Sequence, residues 1–87
     1  MNKVSVGDCV LSVAGRDKGE YFVVISTDGK FVTVVNGRTR KASSPKRKNR
    51  KHIRIVCKGK LKDLAEEIVK SPISDKRIRR MIESVKE

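Results

Sequence analysis

Short glycine-containing turns divide the first part of the chain into apolar runs that are too short to form helices. The residues Gly15-Arg16-Asp17-Lys18-Gly19 separate the apolar run 9–13 from the run 21–25. Glycine adopts backbone angles that other residues avoid, so this segment predicts a tight loop with a charged, solvated tip. Asp28-Gly29 and Asn36-Gly37 predict two further turns, because Asp, Asn and Gly tolerate the positive φ of a type I′ hairpin.

The runs between these turns predict five short strands that follow one another as an antiparallel meander. The predicted strands are residues 9–13, 20–26, 31–35, a short charged edge arm at 38–42, and 52–57. The segment 43–51 is rich in Ser, Pro and basic residues, has nothing to bury, and is predicted to be a loop. Strands of this number and length predict a small, closed, five-stranded antiparallel barrel of the SH3-like type.

The period of the apolar residues changes after Gly59, from the alternation of strands to about 3.6 residues, the period of a helix. One predicted helical face carries Leu61, Leu64, Ala65, Ile68 and Val69. Ser71-Pro72 is expected to end this helix, and Ser74 to cap a second one. The apolar face of the second helix carries Ile78, Met81, Ile82 and Val85. The chain is thus predicted to be mostly β, with a barrel over 1–58 that includes the basic loop, and a helical C-terminal extension over 59–87.

The charge of the chain is both large and unevenly distributed. Its 87 residues include 22 Lys plus Arg against 10 Asp plus Glu, a formal net charge of +12. A field of this sign favours a polyanionic partner, either nucleic acid or, as the rival, an anionic membrane surface. No acid occurs between Asp28 and Asp63, and this acid-free stretch contains Lys30, Arg38, Arg40, Lys41, Lys46, Arg47, Lys48, Arg50, Lys51, Arg54, Lys58, Lys60 and Lys62.

Lysine and arginine in this pattern suit phosphate groups. Each cation near a phosphate releases condensed counterions, and arginine adds a planar fork that binds phosphate bidentately or stacks on a base. The aromatic residues are Tyr21, Phe22 and Phe31, too few for the stacking surface of a typical single-strand binder. The pattern therefore favours recognition of the shape and backbone of structured RNA or of a duplex. The candidate RNA-binding residues of this stretch are Arg38, Arg40, Lys41, Lys46, Arg47, Lys48, Arg50, Lys51, His52 and Arg54.

Other classes of function have little support in the sequence. Cys9 and Cys57 form no Cys-x-x-Cys pair and are accompanied by a single histidine, which argues against a metal site. A disulfide between them is allowed by parity, but reduced thiols are favoured in a cytosolic protein. Asp8, Asp17 and Asp28 lie in separate turns without a paired base, and no phosphate-binding Lys-Ser/Thr loop is present, so we expect neither an enzyme nor a cofactor. No apolar stretch approaches the ~20 residues of a membrane span and the N-terminus lacks the apolar core of a signal peptide, so we expect a cytoplasmic protein without a membrane partner.

The glycine loop and its flanks also form a wider pattern. It consists of a Gly-Asp start, an apolar strand, a Gly-x-x-Lys-Gly loop and a second apolar strand, and it is carried by Val6-Gly7-Asp8, Val10, Gly15-Arg16-Asp17-Lys18-Gly19 and Val23-Val24. In these residues the chain resembles a KOW domain, although Ser12 stands where that pattern has an aliphatic residue. The resemblance implies an SH3-like barrel of the kind found in ribosomal proteins and NusG-type transcription factors. It also implies RNA contacts by the loop, which here would come from Arg16 and Lys18.

The resemblance extends along most of the chain. The segment 7–41, followed by a proline and a basic loop, is similar to small bacterial KOW-containing RNA-binding proteins and to the N-terminal barrel of certain archaeal and eukaryotic large-subunit ribosomal proteins. Ser74-Asp75-x-x-Ile78-Arg79 is similar to their C-terminal helix. We therefore expect a non-enzymatic RNA-binding module, ribosome-associated or ribosomal-protein-like, with ribosomal RNA as its partner. The alternatives are a protein-interaction module, including a NusG-like module that contacts ribosomal or transcription proteins, and a binder of duplex DNA.

Overall fold

The computed structural model of the protein describes residues 3–70 and 73–86. The strands are β1 (Cys9–Ser12), β2 (Tyr21–Thr27), β3 (Phe31–Val35), β4 (Lys46–Asn49) and β5 (Ile53–Cys57), with one turn of 3₁₀ helix (Arg50–His52) before β5. Two helices follow, α1 (Lys62–Lys70) and α2 (Asp75–Val85). The helix stop expected at Ser71-Pro72 lies outside the described residues.

All five strands pair antiparallel in one sheet with the order β4-β3-β2-β1-β5. The predicted mostly-β architecture with C-terminal helices is thereby confirmed. β1 to β4 form a meander, and β5 crosses over to pair with the free side of β1. β4 and β5 are therefore the two edges of the sheet. Strand pairing does not close the sheet into a barrel, so the prediction of a closed barrel is wrong.

The fourth strand lies later in the chain than the sequence predicts. Residues 38–42 form no strand, because the Oδ1 atom of Asn36 accepts hydrogen bonds from the backbone N–H groups of Arg38 and Arg40, each at 2.9 Å, and holds the segment in a turn. The fourth strand is instead Lys46–Asn49, which lies inside the predicted loop 43–51 and pairs with β3. The basic composition of this segment is typical of a loop, but the segment forms a strand. Alternate side chains of this strand point toward the interior of the fold.

The core has two layers, one on each face of the sheet. Inside the curved sheet, the buried residues are Val4, Val10, Phe22, Val24, Val32, Val34 and Ile53. On the opposite face, helices α1 and α2 cover a second cluster formed by Cys9, Val23, Val35, Leu61, Leu64, Ala65, Ile68, Ile78 and Ile82. The middle of β2 is buried on both faces, which explains its continuous apolar run, whereas β3 is buried on one face and half-buried on the other at Phe31 and Thr33.

Most of the predicted helical faces point into this second layer. Leu64, Ala65 and Ile68 of α1 and Ile78 and Ile82 of α2 are buried, and Met81 and Val85 pack against them half-buried. Ser74 caps α2 as predicted, since its side chain accepts a hydrogen bond from the N–H of Lys76. Val69 is the exception to the predicted face, because it is 65% exposed.

The two cysteines lie on adjacent strands, opposite each other in the β1–β5 pairing. Both are free thiols in the structure. Cys9 is completely buried, and burial, together with the neighbouring Cys57, raises the pKa of its thiol to about 11. A thiol with this pKa is almost entirely protonated near neutral pH and is therefore a poor nucleophile. Cys9 thus acts as a small apolar core residue.

The backbone of Gly7 packs directly against the first turn of α1. Its φ is +93°, and a Cβ atom at this position would lie 2.3 Å from the Cα of Lys62. The carbonyl of Gly7 accepts a hydrogen bond of 2.8 Å from the N–H of Leu61. The glycine of the Gly-Asp start therefore determines how closely α1 approaches the sheet.

We expect Gly7→Ala to be much more destabilising than Gly29→Ala. Gly29 has almost the same φ, +92°, but its Cβ would meet nothing within 4 Å, so both variants share the backbone strain and the clash with α1 is specific to Gly7. The extra loss in the free energy of unfolding should be about 2 kcal/mol or more, as for other overpacked sites. Urea denaturation of the two variants measures this difference, and equal losses would show that α1 does not depend on this contact.

Candidate nucleic-acid interface

Asp17 of the glycine loop points into the protein and not into solvent. It is 7% exposed, which contradicts the expectation of a fully solvated loop tip. Its Oδ1 atom accepts hydrogen bonds from Ser12 Oγ at 2.6 Å and from Lys48 Nζ at 2.9 Å, and its Oδ2 atom accepts one from Lys46 Nζ at 3.0 Å. We call these four residues the Asp17 cluster. It joins the end of β1 and the β1–β2 loop to the edge strand β4.

The cluster keeps Asp17 ionised although it is buried. Burial alone would raise the pKa of its carboxyl group, but the hydrogen bonds from Ser12, Lys48 and Lys46 and the charge of Lys48 outweigh burial and hold the pKa far below its usual range. A charged group away from water is tolerated when it is paired and hydrogen-bonded in this way. Ser12, which departs from the aliphatic pattern of the strand, thus donates a hydrogen bond to the buried carboxylate.

The Asp17 cluster changes the role of two predicted RNA-binding residues. The side chain of Lys48 is 5% exposed, and that of Lys46 is 29% exposed. Both ammonium groups are directed at Asp17, and Lys48 also donates to the carbonyl oxygen of Ala14 at 3.4 Å. Lys46 and Lys48 therefore stabilise the fold, and we do not include them in the candidate interface.

A second buried aspartate fixes the N-terminal arm in a similar way. The Oδ1 atom of Asp8 accepts a hydrogen bond from the N–H of Gly59 at 2.8 Å, and its Oδ2 atom accepts from the N–H of Ser5 at 2.8 Å and from Lys58 Nζ at 2.9 Å. Lys58 also donates to the carbonyl oxygen of Lys3 and to Ser5 Oγ. The end of β5 thus holds the arm in place across the sheet.

One group of cations lies around the turn between β2 and β3. This hairpin-end group consists of Lys3, Lys30, Arg47, Arg50 and Lys51. All but Arg47 line a shallow groove, together with Val4, Gly29 and Asn49. A backbone hydrogen bond of 2.8 Å from the N–H of Arg50 to the carbonyl of Lys30 joins the two walls of the groove.

Arg47 lies beside this groove on the outer face of the sheet. Its side chain is 64% exposed, and its guanidinium lies 4.1 Å from the centre of the Phe31 ring. Lys30 Nζ is 5.8 Å from the same ring. The ion pair of Arg47 with Asp28 is 3.6 Å long and exposed on both sides, so it holds the arginine weakly.

A second group of cations lies at the other end of β3. This loop-end group consists of Arg38, Arg79 and Lys86, which line a groove together with Gly19, Tyr21 and the acids Glu20 and Glu83. Arg79 Nη1 donates to the carbonyl of Gly37 at 2.5 Å, and the N–H of Ala42 donates to Asp75 Oδ1 at 2.9 Å. These bonds attach the β3–β4 loop to α2.

The predicted site residues therefore do not form one continuous surface. Lys30 and Asn36 mark the two ends of β3 and are separated by roughly 20 Å, at about 3.4 Å per residue. Arg50 and Lys51 line the groove of the hairpin end, Arg38 lines that of the loop end, and Arg40 is half-buried in the β3–β4 loop. Among the other predicted residues, Arg16, Lys18, Lys41 and Arg54 are exposed, and His52 is half-buried.

The sequence-based site missed three residues of the hairpin end. Lys30 stands at the start of the acid-free stretch, directly after the Asp28-Gly29 turn, so its position was a usable signal. Phe31 was counted among the few aromatic residues, but not as a partner of Arg47. Lys3 has no local signal, because Lys58 and Asp8 bring its backbone to this end through contacts that are distant in sequence.

Comparisons with protein-family models and with curated proteins find no match to this chain. In residues 3–70 and 73–86, none of the helices has the length and apolar composition needed to cross a membrane. The same residues contain no cluster of three His, Cys, Asp or Glu side chains that could hold a metal ion.

We expect Asp17→Asn to destabilise the protein strongly. The change keeps the size of the side chain but leaves the buried ammonium of Lys48 without a counter-charge, and loss of one partner of a buried ion pair costs about 3–5 kcal/mol. Chemical denaturation gives the free energy of unfolding. The matched control is Asp28→Asn, which removes an exposed acid and retains an oxygen for its turn hydrogen bonds. A loss in Asp17→Asn no larger than that of the control would contradict a structural role for the cluster.

The difference in stability between wild type and Asp17→Asn should disappear in acid. Because the folded-state pKa of Asp17 lies below its unfolded value, its stabilisation is fully present above pH ~3.9 and is lost as the pH falls through the folded-state pKa. Once protonated, Asp17 resembles Asn electrostatically. Denaturation of both proteins at a series of pH values from 7 downward, on the order of one unit apart, tests this. A difference that stays constant through the acid range would show that the carboxylate charge is not the cause.

Proposed function

We propose that this protein is a non-enzymatic RNA-binding module of the KOW type that acts in the cytoplasm in association with the ribosome. Its partner is structured RNA, with ribosomal RNA as the expected target. The observation that carries this proposal is the presence of exposed cations at both ends of β3, in addition to the lysines that are paired with Asp17 and Asp8. The KOW resemblance of the sequence supports the same function.

Phosphate contacts explain the distribution of charge better than base recognition does. Counterion release by cations gives affinity without sequence specificity. Two groups separated by roughly 20 Å can contact phosphates several nucleotides apart, as a folded RNA presents them. Phe31 and Tyr21 are each half-buried and each accompanied by a cation, at 4.1 and 5.6 Å from the ring centre respectively. They do not form a continuous stacking surface.

The loop-end group differs from the hairpin-end group in the strength of its local positive field. Its cations are accompanied by Glu20 and Glu83, so its local field is weaker than that of the hairpin end. Arg16 and Lys18 extend this end, because they belong to the same β1–β2 loop as Gly19. We therefore assign the principal phosphate contacts to Lys30, Arg47 and Lys51, and secondary contacts to Arg16, Lys18 and Arg38.

Binding to ribosomal RNA should depend steeply on salt, and the hairpin-end group should account for part of that dependence. In a triple variant, Lys30→Gln, Arg47→Gln and Lys51→Gln, we expect weaker binding and a salt slope smaller by about three, one for each cation that contacts phosphate. Equilibrium binding over a series of salt concentrations, with sedimentation on ribosomal subunits as a second readout, measures both effects.

The matched control removes the same charge from the helices, in Lys70→Gln, Lys76→Gln and Arg80→Gln, three exposed residues outside the interface. The control should keep the wild-type slope. Affinity that does not change with salt would exclude phosphate binding. Partners that survive nuclease treatment would instead favour a protein-interaction or NusG-like module, and preference for genomic DNA over ribosomal RNA at equal salt would favour a duplex-DNA binder.

A further inference from the structure

We propose that the groove at the hairpin end binds an unpaired nucleotide of the target RNA, such as a base extruded from a loop or bulge. This inference rests on the proposed RNA-binding function and adds the class of RNA element. It combines three features that a nucleotide requires and that lie together here: cations for the phosphates, an aromatic ring for the base, and an amide donor for the base edge.

The groove brings three lysine ammonium groups together. Lys3, Lys30 and Lys51 line it, and none of the lining residues in the described part of the chain is acidic. The three ammonium groups come from separate segments, namely the N-terminal arm, the β2–β3 turn and the 3₁₀ turn. Contacts of Asp8 and Lys58 with the arm, and of Arg50 with Lys30, fix these segments relative to one another. The groove is therefore a preformed concave site for a phosphate chain, which a flat basic surface would not provide.

The aromatic ring lies next to this groove. Phe31 projects from the outer face of β3, and Lys30 both lines the groove and lies within 5.8 Å of the ring centre. The guanidinium of Arg47 already stacks on the ring at 4.1 Å, so the ring accepts a flat, positively charged group. Because Arg47 is largely exposed and weakly paired, it can move to admit a base or stack on its other side.

The amide donor is supplied by Asn49, directly opposite Phe31 in the β3–β4 register. The Cβ atoms of residues at such opposite positions lie about 5 Å apart, on the same face of the sheet. Asn49 Oδ1 accepts the N–H of Lys51 at 3.0 Å, which orients the amide. Within the described residues its Nδ2 group donates to no protein acceptor, so it remains for a carbonyl or ring nitrogen of the base. A fully paired base exposes neither its stacking face nor its Watson–Crick edge, so this combination requires an unpaired nucleotide.

The test compares two RNA hairpins of equal length and charge, one fully paired and one with a single-nucleotide bulge. Wild-type protein should bind the bulged hairpin about tenfold more tightly, in line with the contribution of one stacked base. Phe31→Leu should abolish this preference and leave affinity for the paired hairpin unchanged, whereas Phe31→Tyr should keep it. A 5-iodouridine placed at the bulge should form a photocrosslink to Phe31 in the wild-type protein, which does not depend on the folding of any variant.

The possible results separate this inference from the proposed function. Equal, salt-dependent binding of both hairpins, with no crosslink at Phe31, would overturn the nucleotide site and leave RNA binding intact. Absence of salt-dependent binding to either hairpin would overturn both. Uridine monophosphate that competes at the same concentration as the bulged hairpin would show a site for free nucleotides and would overturn the assignment to an RNA element.

Discussion

The carboxylate of Asp17 links parts of the fold that strand pairing leaves apart. It accepts hydrogen bonds from Ser12 at the end of β1 and from Lys46 and Lys48 on the edge strand β4. Lys48 also donates to the carbonyl oxygen of Ala14, but without Asp17 the ammonium groups of Lys46 and Lys48 would lose their counter-charge. The buried ion cluster therefore anchors the edge strand β4 to the β1–β2 loop, and the glycine loop has a structural role because it carries Asp17.

Burial separates the lysines and arginines into two functions. Lys48, whose side chain is 5% exposed, serves the fold, whereas Arg47, the next residue along the chain, is 64% exposed and faces solvent. The alternation of β4 produces this difference, because adjacent side chains on a strand point to opposite faces. A run of basic residues that looks uniform in the sequence thus contributes alternately to internal neutralisation and to the outer surface.

The sequence predicted the elements whose signals are local. The Asp28-Gly29 turn and the apolar runs on either side of it defined β2 and β3, and the period of the apolar residues after Gly59 defined both helices. The fourth strand was missed because Lys46 and Lys48 have the composition of a loop, and their counter-charge lies 29 and 31 residues earlier in the chain. The predicted site residues lie at separate places on the surface because their positions, too, depend on contacts that are distant in sequence. Strand pairing and the contacts of Asp8 determine which cations meet, and neither is encoded in residue spacing.

The high net charge couples the stability of the fold to its proposed ligand. Cations clustered on one small domain repel one another, which opposes folding, and each phosphate that binds the folded surface relieves part of that repulsion. A polyanion that binds only the folded protein also stabilises it by mass action. Part of the repulsion is relieved in the absence of any ligand, because Asp17 is paired with Lys46 and Lys48, and Asp8 with Lys58. Exposed cations such as Lys30 and Lys51 are not needed for this internal neutralisation and remain accessible to phosphate.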